Sequence, residues 1–261
     1  MILLNMMTAT LILNNIHIFI LGLCWGSFLN VVAYRLLHGG SIIWGRSKCP
    51  SCKTYIAWYD LIPLFSWIYL RGQCRTCHAS ISYLYPLIEI GTALFFFLAA
   101  LRVPSELLPA TLLFISYLMI NIRTDLEVWL LLRYFTLGLI PLGIIATVST
   151  PMPITFLESI IGAIGGYGML WIVRWVHTKS TGTIGMGQGD LELLAGIGAW
   201  VGLFGAWITL TLASIIALCS AGIYFLFTRT SFSKMPFGPF LSIGGIIIFL
   251  FYQTFLQFFF V

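Results

Sequence analysis

The feature that most constrains this chain is a succession of long apolar stretches along nearly its whole length. Eight of them lie at about 10–32, 84–103, 107–122, 128–146, 160–176, 191–204, 206–227 and 239–258. Each can cross about 30 Å of hydrocarbon as a helix, alone or with flanking residues. Only 8% of the residues are charged, against roughly 25% in soluble domains. The sequence therefore predicts an all-α polytopic membrane protein with about eight transmembrane helices.

Two features bear on how these stretches pack and divide. Only Gly205 separates the sixth stretch from the seventh. Gly162 and Gly166 in the fifth stretch, and Gly198 and Gly202 in the sixth, have the four-residue spacing that lets membrane helices touch. We expect this spacing to serve packing rather than chemistry.

The basic residues predict the orientation in the membrane. Those in the loops on one side of an eight-span topology are Arg35, Arg46, Lys48, Lys53, Arg71, Arg75, Arg123, Arg174, Lys179, Arg229 and Lys234, whereas the opposite side receives only Arg102. Loops rich in lysine and arginine face the cytoplasm. Topology therefore explains the net charge of +5, and we expect a lipid bilayer but no nucleic acid as a partner.

The polar stretch between the first two spans forms a separate segment. Within it, the apolar run from Tyr55 to Leu70 is interrupted by Asp60 and Pro63 and is too short to span, so we interpret it as interfacial. The sequence thus divides into a first helix at 1–34, a cytoplasmic loop at 35–83 and a seven-helix membrane core at 84–261.

That loop carries two cysteine pairs, Cys49-Pro-Ser-Cys52 and Cys74-Arg-Thr-Cys77, separated by 21 residues. Two such pairs are typical of a tetrahedral four-thiolate zinc site of the zinc-ribbon type. A site closed by four cysteines has no open coordination position, so we expect a structural zinc ion that folds the loop.

A glycine-rich turn, Gly185-Met186-Gly187-Gln188-Gly189-Asp190, precedes the sixth apolar stretch. Gly187 and Gly189 allow another chain to approach the backbone closely, which suits an enzyme that handles an extended peptide. Asp190 stands where an ionised side chain is costly. It either caps the following helix or carries chemistry.

A second carboxylate, Asp125, lies at the start of the predicted fourth span. If the fourth and sixth spans pack together, Asp125 and Asp190 can share a proton and activate a water molecule, which is aspartic-protease chemistry. Alternatively, Asp125 forms a surface ion pair with Arg123 or Arg133, and Glu127 competes as a partner for Asp190. In a further alternative, the pair binds a cation or relays protons in a transporter.

Two other acidic residues are candidates for lesser roles. Glu89 lies early in the second span, and a carboxylate inside a membrane is a functional candidate by default. Glu192, two residues beyond Asp190, should point to another side of the same helix and serve structure.

Several ordered motifs carry a resemblance to a known family. They are Gly26-Ser27-Phe28-Leu29-Asn30, Arg46-Ser47-x-Cys49-Pro50-x-Cys52, Trp58-Tyr59-Asp60-x-Ile62-Pro63, Arg71-Gly72-x-Cys74-x-x-Cys77, Tyr85-Pro86-Leu87-x-Glu89, Gly185-Met186-Gly187-x-Gly189-Asp190 and Pro236-Phe237-Gly238-Pro239-Phe240. Together they span nearly the whole chain. The chain resembles the bifunctional prepilin peptidases of bacteria.

The resemblance implies an aspartic peptidase of the bacterial inner membrane, with its large loop and active site facing the cytoplasm. It would cut the leader of type IV prepilins or type II secretion pseudopilins after a glycine, with Asp190 and Asp125 matching the family's catalytic pair. It also implies methylation of the new N-terminal amine, with S-adenosylmethionine as donor. The cytoplasmic loop is associated with that second activity and with zinc.

The chain departs from the family pattern at two positions. Family members usually carry Ile/Leu-Pro-Asp about eight residues after the first aspartate, whereas this chain has Leu131-Leu132-Arg133. The family often has lysine two residues after the second aspartate, and here Glu192 stands there. Glu192 could alter the charge balance of the site, or it could pair with Arg133. The competing hypothesis is a non-enzymatic zinc-bearing membrane protein or transporter.

Overall fold

The computed structural model describes residues 2–42, 44–183, 185–229, 235–252 and 254–255, with side chains from residue 15 onward. Its helices are α1 (Ile2–His38), a 3-10 helix (Trp58–Leu61), α2 (Phe65–Tyr69), α3 (Leu84–Arg102), α4 (Leu108–Val128), α5 (Arg133–Ser149), α6 (Phe156–Thr181), α7 (Gln188–Thr228) and α8 (Gly238–Leu250). The chain divides into two compact units, Met1–Pro104 and Ser105–Val261. Within the described ranges, extended backbone pairs only in two isolated bridges, which confirms the all-α prediction.

Four helices in the described part of the chain are long and apolar enough to cross a membrane. They are the Asn15–His38 part of α1, α3, α6 and α7, while α5 and α8 are shorter apolar helices. Many large apolar side chains on α6 and the second half of α7 are exposed, including Ile164, Leu218 and Phe227. Exposed apolar helix surfaces of this kind suit a lipid environment. The count of eight spans stays a prediction.

In the first unit, α1 packs closely against α3. A Cβ atom on Gly22 would lie 2.6 Å from the Cα atom of Ala93, and one on Gly26 would lie 2.8 Å from the Cα atom of Glu89. Because only glycine leaves room for such an approach, these two residues allow the backbones of the helices to touch. The Gly26-Ser27-Phe28-Leu29-Asn30 motif therefore lies at a helix contact.

In the second unit, the first half of α7 forms the core. The residues from Leu191 to Gly202 are all buried, and α5, α6 and α8 pack against this helix. A Cβ atom on Gly162 would clash with the carbonyl oxygen of Gly198, and the reverse is also true. This close contact between α6 and α7 confirms the packing role predicted from the glycine spacing.

The helix break that we expected at Gly205 lies at Gly202 instead. Gly202 has φ 70° and ψ 179°, a non-helical conformation inside α7. This conformation is open to glycine and strained for other residues. The boundary at Gly205 is therefore wrong by three residues, because Gly205 itself continues the second half of the helix.

A second correction concerns the end of α4. This helix continues through Asp125 to Val128 and ends at Trp129, which adopts the left-handed conformation with φ 59°. The next helix begins at Arg133. The prediction that Asp125 begins the fourth span is therefore wrong, since Asp125 lies in the last turn of the preceding helix. Arg123, assigned to a loop, is likewise inside α4 and fully buried.

Candidate active site

Asp190 lies in the first turn of α7, where the glycine-rich turn becomes helix. Gly187 is the N-cap residue of this helix, with extended backbone. The backbone N–H of Gly187 donates a hydrogen bond to the Asp190 carboxylate, and the carboxylate is further favoured by the helix N-terminus. Asp190 is therefore not the N-cap residue itself, but it lies in the first turn, where the hydrogen bond from Gly187 holds the carboxylate.

Asp125 lies in the last turn of α4, only 5% exposed. Its Oδ2 atom accepts a hydrogen bond from the backbone N–H of Gly238, at 3.1 Å. Gly238 is the first residue of α8, so this carboxylate also lies at a helix N-terminus. Burial disfavours the ionised form of this carboxylate, whereas the fixed N–H donor and the helix N-terminus favour it.

The two carboxylates are close enough to interact electrostatically. Leu131, in the connection between α4 and α5, packs beside both. A Cβ atom on Gly189 would lie 2.8 Å from the Leu131 Cβ atom, and one on Gly238 would lie 2.9 Å from its Cδ2 atom. The glycines at both helix starts thus make room for this leucine next to the pair.

The charged neighbours of the pair have partners of their own. Arg123 forms an ion pair with Glu127, one turn later on α4. Arg133 forms an ion pair with Glu192 at 3.2 Å. The structure therefore confirms the predicted contact between Glu192 and Arg133, and it gives Glu127 a cationic partner.

Glu89 is buried in the first unit, on α3. Its carboxylate accepts a hydrogen bond from the backbone N–H of Leu64 at 2.7 Å and another from the side chain of Ser27 on α1. Leu64 has φ 60° and ψ −51°, a conformation that costs a non-glycine residue about 1–3 kcal/mol. Through these hydrogen bonds, Glu89 on α3 links α1 to the interfacial segment.

The four cysteines of the loop lie at two turns with the same backbone geometry. In the first turn, the N–H of Cys49 donates to the carbonyl of Thr54 at 3.0 Å, and the N–H of Lys53 donates to the carbonyl of Cys49 at 2.9 Å. In the second turn, the bonds from Cys74 to Ala79 and from His78 to Cys74 are both 2.9 Å. Lys53 and His78 both have positive φ, so the two turns match residue for residue.

The sulfur atoms of Cys49, Cys52, Cys74 and Cys77 converge, all within 4.8 Å of one another. The Sγ atoms of Cys49 and Cys77 are 3.8 Å apart, which is about the edge of a tetrahedron with zinc–sulfur bonds of ~2.3 Å. The predicted cluster is therefore confirmed, and its donor set fits zinc.

The second turn is anchored to the interfacial segment. Arg75 pairs with Asp60, with its Nη2 atom 2.6 Å from Oδ1 and its Nε atom 2.9 Å from Oδ2. This contact raises the pKa of Arg75. The guanidinium also stacks over the rings of Tyr59 and Tyr69. The cluster and the two short helices thus form one folded loop.

Sequence reasoning did not predict the contacts of three residues that shape the site. Gly238 and Leu131 lie in segments that we quoted for the resemblance, but their contacts at the carboxylate pair were not predicted. The third, Thr136, donates a hydrogen bond to Glu192 at 3.2 Å and carries no signal in the sequence, because this contact joins helices far apart in sequence.

Two known families match the chain. Residues 20–103 match the family described as "Bacterial Peptidase A24 N-terminal domain", and residues 112–226 match the "Type IV leader peptidase family". The second match contains both Asp125 and Asp190. No solved structure matches the chain.

Curated relatives are similar over most of their length. A "Prepilin leader peptidase/N-methyltransferase" of Pectobacterium carotovorum subsp. carotovorum is 36% identical over 254 residues, which cover 87% of this chain and 89% of the relative. Relatives of the same name are 39% identical in Klebsiella pneumoniae, over 76% of this chain and 89% of the relative, and 34% identical in Aeromonas hydrophila, over 87% of each. With such identity across both matched regions, this chain belongs to the type IV leader peptidase family.

Proposed function

We propose that this chain is a prepilin leader peptidase and N-methyltransferase of the bacterial inner membrane, with Asp125 and Asp190 as the catalytic pair. It removes the leader of type IV prepilins or type II secretion pseudopilins. It then methylates the newly exposed N-terminal amine.

The observation that carries the proposal is that Asp125 and Asp190 lie on either side of Leu131, which packs against Gly189 next to Asp190 and against Gly238, the residue whose N–H donates to Asp125. The two residues come from opposite ends of different helices, and each accepts a backbone N–H at a helix start. Two nearby carboxylates with fixed donors are the arrangement that aspartic proteases use. The apolar Leu131 side chain lies against the glycines that adjoin both carboxylates, and less polar surroundings strengthen the interaction of the carboxylates with a substrate carbonyl.

In the proposed reaction, one aspartate is ionised and the other is protonated. The ionised carboxylate takes a proton from a water molecule, whose oxygen attacks the carbon of the scissile peptide bond. The protonated carboxyl donates its proton to the carbonyl oxygen. The tetrahedral intermediate then collapses: the carbon–nitrogen bond breaks, and the leaving amine takes up the proton first removed from water. As the carbonyl group re-forms, one hydroxyl of the intermediate returns a proton to the other aspartate.

The depth of the carboxylate pair in the membrane determines which peptide bond of the substrate is cleaved. Both carboxylates lie at helix ends, in the last turn of α4 and the first turn of α7, and loop charges predict that this end faces the cytoplasm. A substrate with an apolar helix in the bilayer and a polar leader in the cytoplasm presents its junction at that depth. Gly187 and Gly189 leave room for the extended peptide.

A zinc ion bound by Cys49, Cys52, Cys74 and Cys77 would hold the cytoplasmic loop, 35–83, in its fold. With four thiolates as ligands it has a structural role. S-adenosylmethionine would supply the methyl group that the N-terminal amine accepts. In the described part of the first unit, two open cavities of about 340 and 230 Å³ lack an acidic lining residue to pair with a cationic methyl donor, so we assign no residue to it.

Co-expression of the full chain with a prepilin tests the proposal. Mass spectrometry should show loss of the leader and a gain of one methylene's mass at the new N-terminus. The substitutions Asp125→Asn and Asp190→Asn should each abolish cleavage while the protein remains in the membrane. Full cleavage by either variant would refute the assigned pair. Uncleaved prepilin with the unaltered chain, together with proton or cation flux that either substitution abolishes, would support the transporter hypothesis.

A further inference from the structure

Glu192 is a buried carboxylate that the proposed mechanism does not use. It lies two residues after Asp190 and is 2% exposed. A carboxylate in such a place is costly unless its oxygens are satisfied. Its Oε1 atom lies 3.2 Å from the Nε atom of Arg133, and its Oε2 atom accepts a hydrogen bond from the Thr136 hydroxyl at 3.2 Å.

Both partners of Glu192 lie in the first turn of α5. This helix begins after Leu132 without a side-chain cap. A negative charge near the start of a helix is favourable because the unpaired N–H groups there are partly positive. Glu192, projecting from α7, therefore joins the start of α5 to the start of α7.

The contact of Glu192 with the start of α5 bears on the position of Leu131, which lies two residues before Arg133. Leu131 packs against Gly189, which adjoins Asp190, and against Gly238, which donates to Asp125. Movement of the start of α5 would displace the leucine from both glycines. The spacing of the two carboxylates is therefore coupled to the contact between Glu192 and Arg133.

Arg133 and Glu192 carry opposite charges on neighbouring helices. The attraction between opposite charges does not depend on which helix carries which sign. Exchange of the two charges therefore keeps the ion pair.

We infer that Glu192 and Arg133 are positioning residues, whose ion pair holds the start of α5 against α7 and thereby sets the spacing of Asp125 and Asp190. This inference rests on the proposed catalytic role of the two aspartates. Neither Glu192 nor Arg133 takes part in the proposed proton transfers. Their effect is on the geometry of the residues that do.

A charge exchange in the full chain, purified in detergent with a prepilin substrate, tests the inference. The single substitutions Glu192→Lys and Arg133→Asp each place like charges at the junction. They should lower kcat by about 10- to 100-fold, since a misplacement of about 1 Å costs that much, and leave KM nearly unchanged. The double variant should recover most of the lost kcat. Lys179→Asp, a charge reversal at an exposed lysine of α6, should leave both constants unchanged.

Glu192→Gln provides a milder test in case the single reversals fold poorly. Glutamine keeps an oxygen for Thr136 but removes the charge that attracts Arg133. It should lower kcat several-fold at unchanged KM. A wild-type kcat for this variant, or a folded double variant that recovers no activity, would overturn the inference.

The Asp190→Asn variant separates this outcome from a failure of the proposed function. If Asp190→Asn still cleaves the substrate, the catalytic assignment itself is wrong. If it is inactive while Glu192→Gln has full activity, only the positioning role is wrong.

Discussion

The Asp125 carboxylate accepts a hydrogen bond from the backbone N–H of Gly238 at 3.1 Å, so the end of α4 is joined directly to the start of α8. The residues are 113 positions apart in sequence. Because the acceptor is also one of the two proposed catalytic groups, the start of α8 takes part in positioning it.

A methyl group at position 238 should disturb this contact. In Gly238→Ala the added Cβ atom would lie 2.7 Å from Oδ2 of Asp125, so the carboxylate must move. We expect kcat for prepilin cleavage to fall by about 10- to 100-fold, measured with purified enzyme. The matched control is Gly168→Ala on α6, where an added Cβ atom has no neighbour within 4 Å. An unchanged kcat for Gly238→Ala would contradict the role of this contact in positioning Asp125.

Loss of the cysteine cluster should remove bound metal. We expect about one zinc ion per chain in the purified protein and none in Cys49→Ser/Cys74→Ser, because two thiolates cannot complete a tetrahedral site. Methylation should then fall more than cleavage, since the loop unfolds. Metal analysis and mass spectrometry of the product check the two effects. Cys219→Ser, outside the cluster, should keep its zinc, and a metal-free unaltered chain would refute the prediction.

Removal of the Glu89 carboxylate should loosen the interfacial segment. In Glu89→Ala the N–H of Leu64 loses its acceptor, and a hydrogen bond to a charged group contributes about 1.5–3 kcal/mol. Hydrogen exchange at Leu64 and in α2 should therefore accelerate by roughly 10- to 100-fold. Glu89→Gln, which keeps an acceptor oxygen, should show a smaller effect. Equal exchange in all three proteins would mean that Glu89 does not hold this segment.

A larger residue between α6 and α7 should destabilise the second unit. The Cβ atom of Gly198→Ala would overlap the carbonyl oxygen of Gly162, so the helices must separate. We expect the free energy of unfolding in mixed detergent micelles to fall by about 1–3 kcal/mol. The control is Gly222→Ala, where an added Cβ atom meets open space; its free energy of unfolding should not fall. Wild-type stability for Gly198→Ala would contradict the close packing.

The sequence by itself determined the class of fold and the chemistry of the side chains. Apolar stretches of membrane length predict helices because an unpaired backbone polar group is costly in lipid. The spacing of Cys49, Cys52, Cys74 and Cys77 predicts their cluster, since a thiolate pair two residues apart can bind one metal ion. The glycine-rich turn likewise predicts that Asp190 lies at a helix start.

Only the tertiary structure decided which distant residues meet. The sequence predicted Asp125 at the start of one helix, but the structure has it in the last turn of another, because α4 continues to Val128 and ends at the turn at Trp129. Likewise, only the structure shows that Gly238 contacts Asp125 and that Glu192 contacts Arg133. Such contacts depend on how helix faces pack, and hydropathy along the chain carries no information on which faces pair.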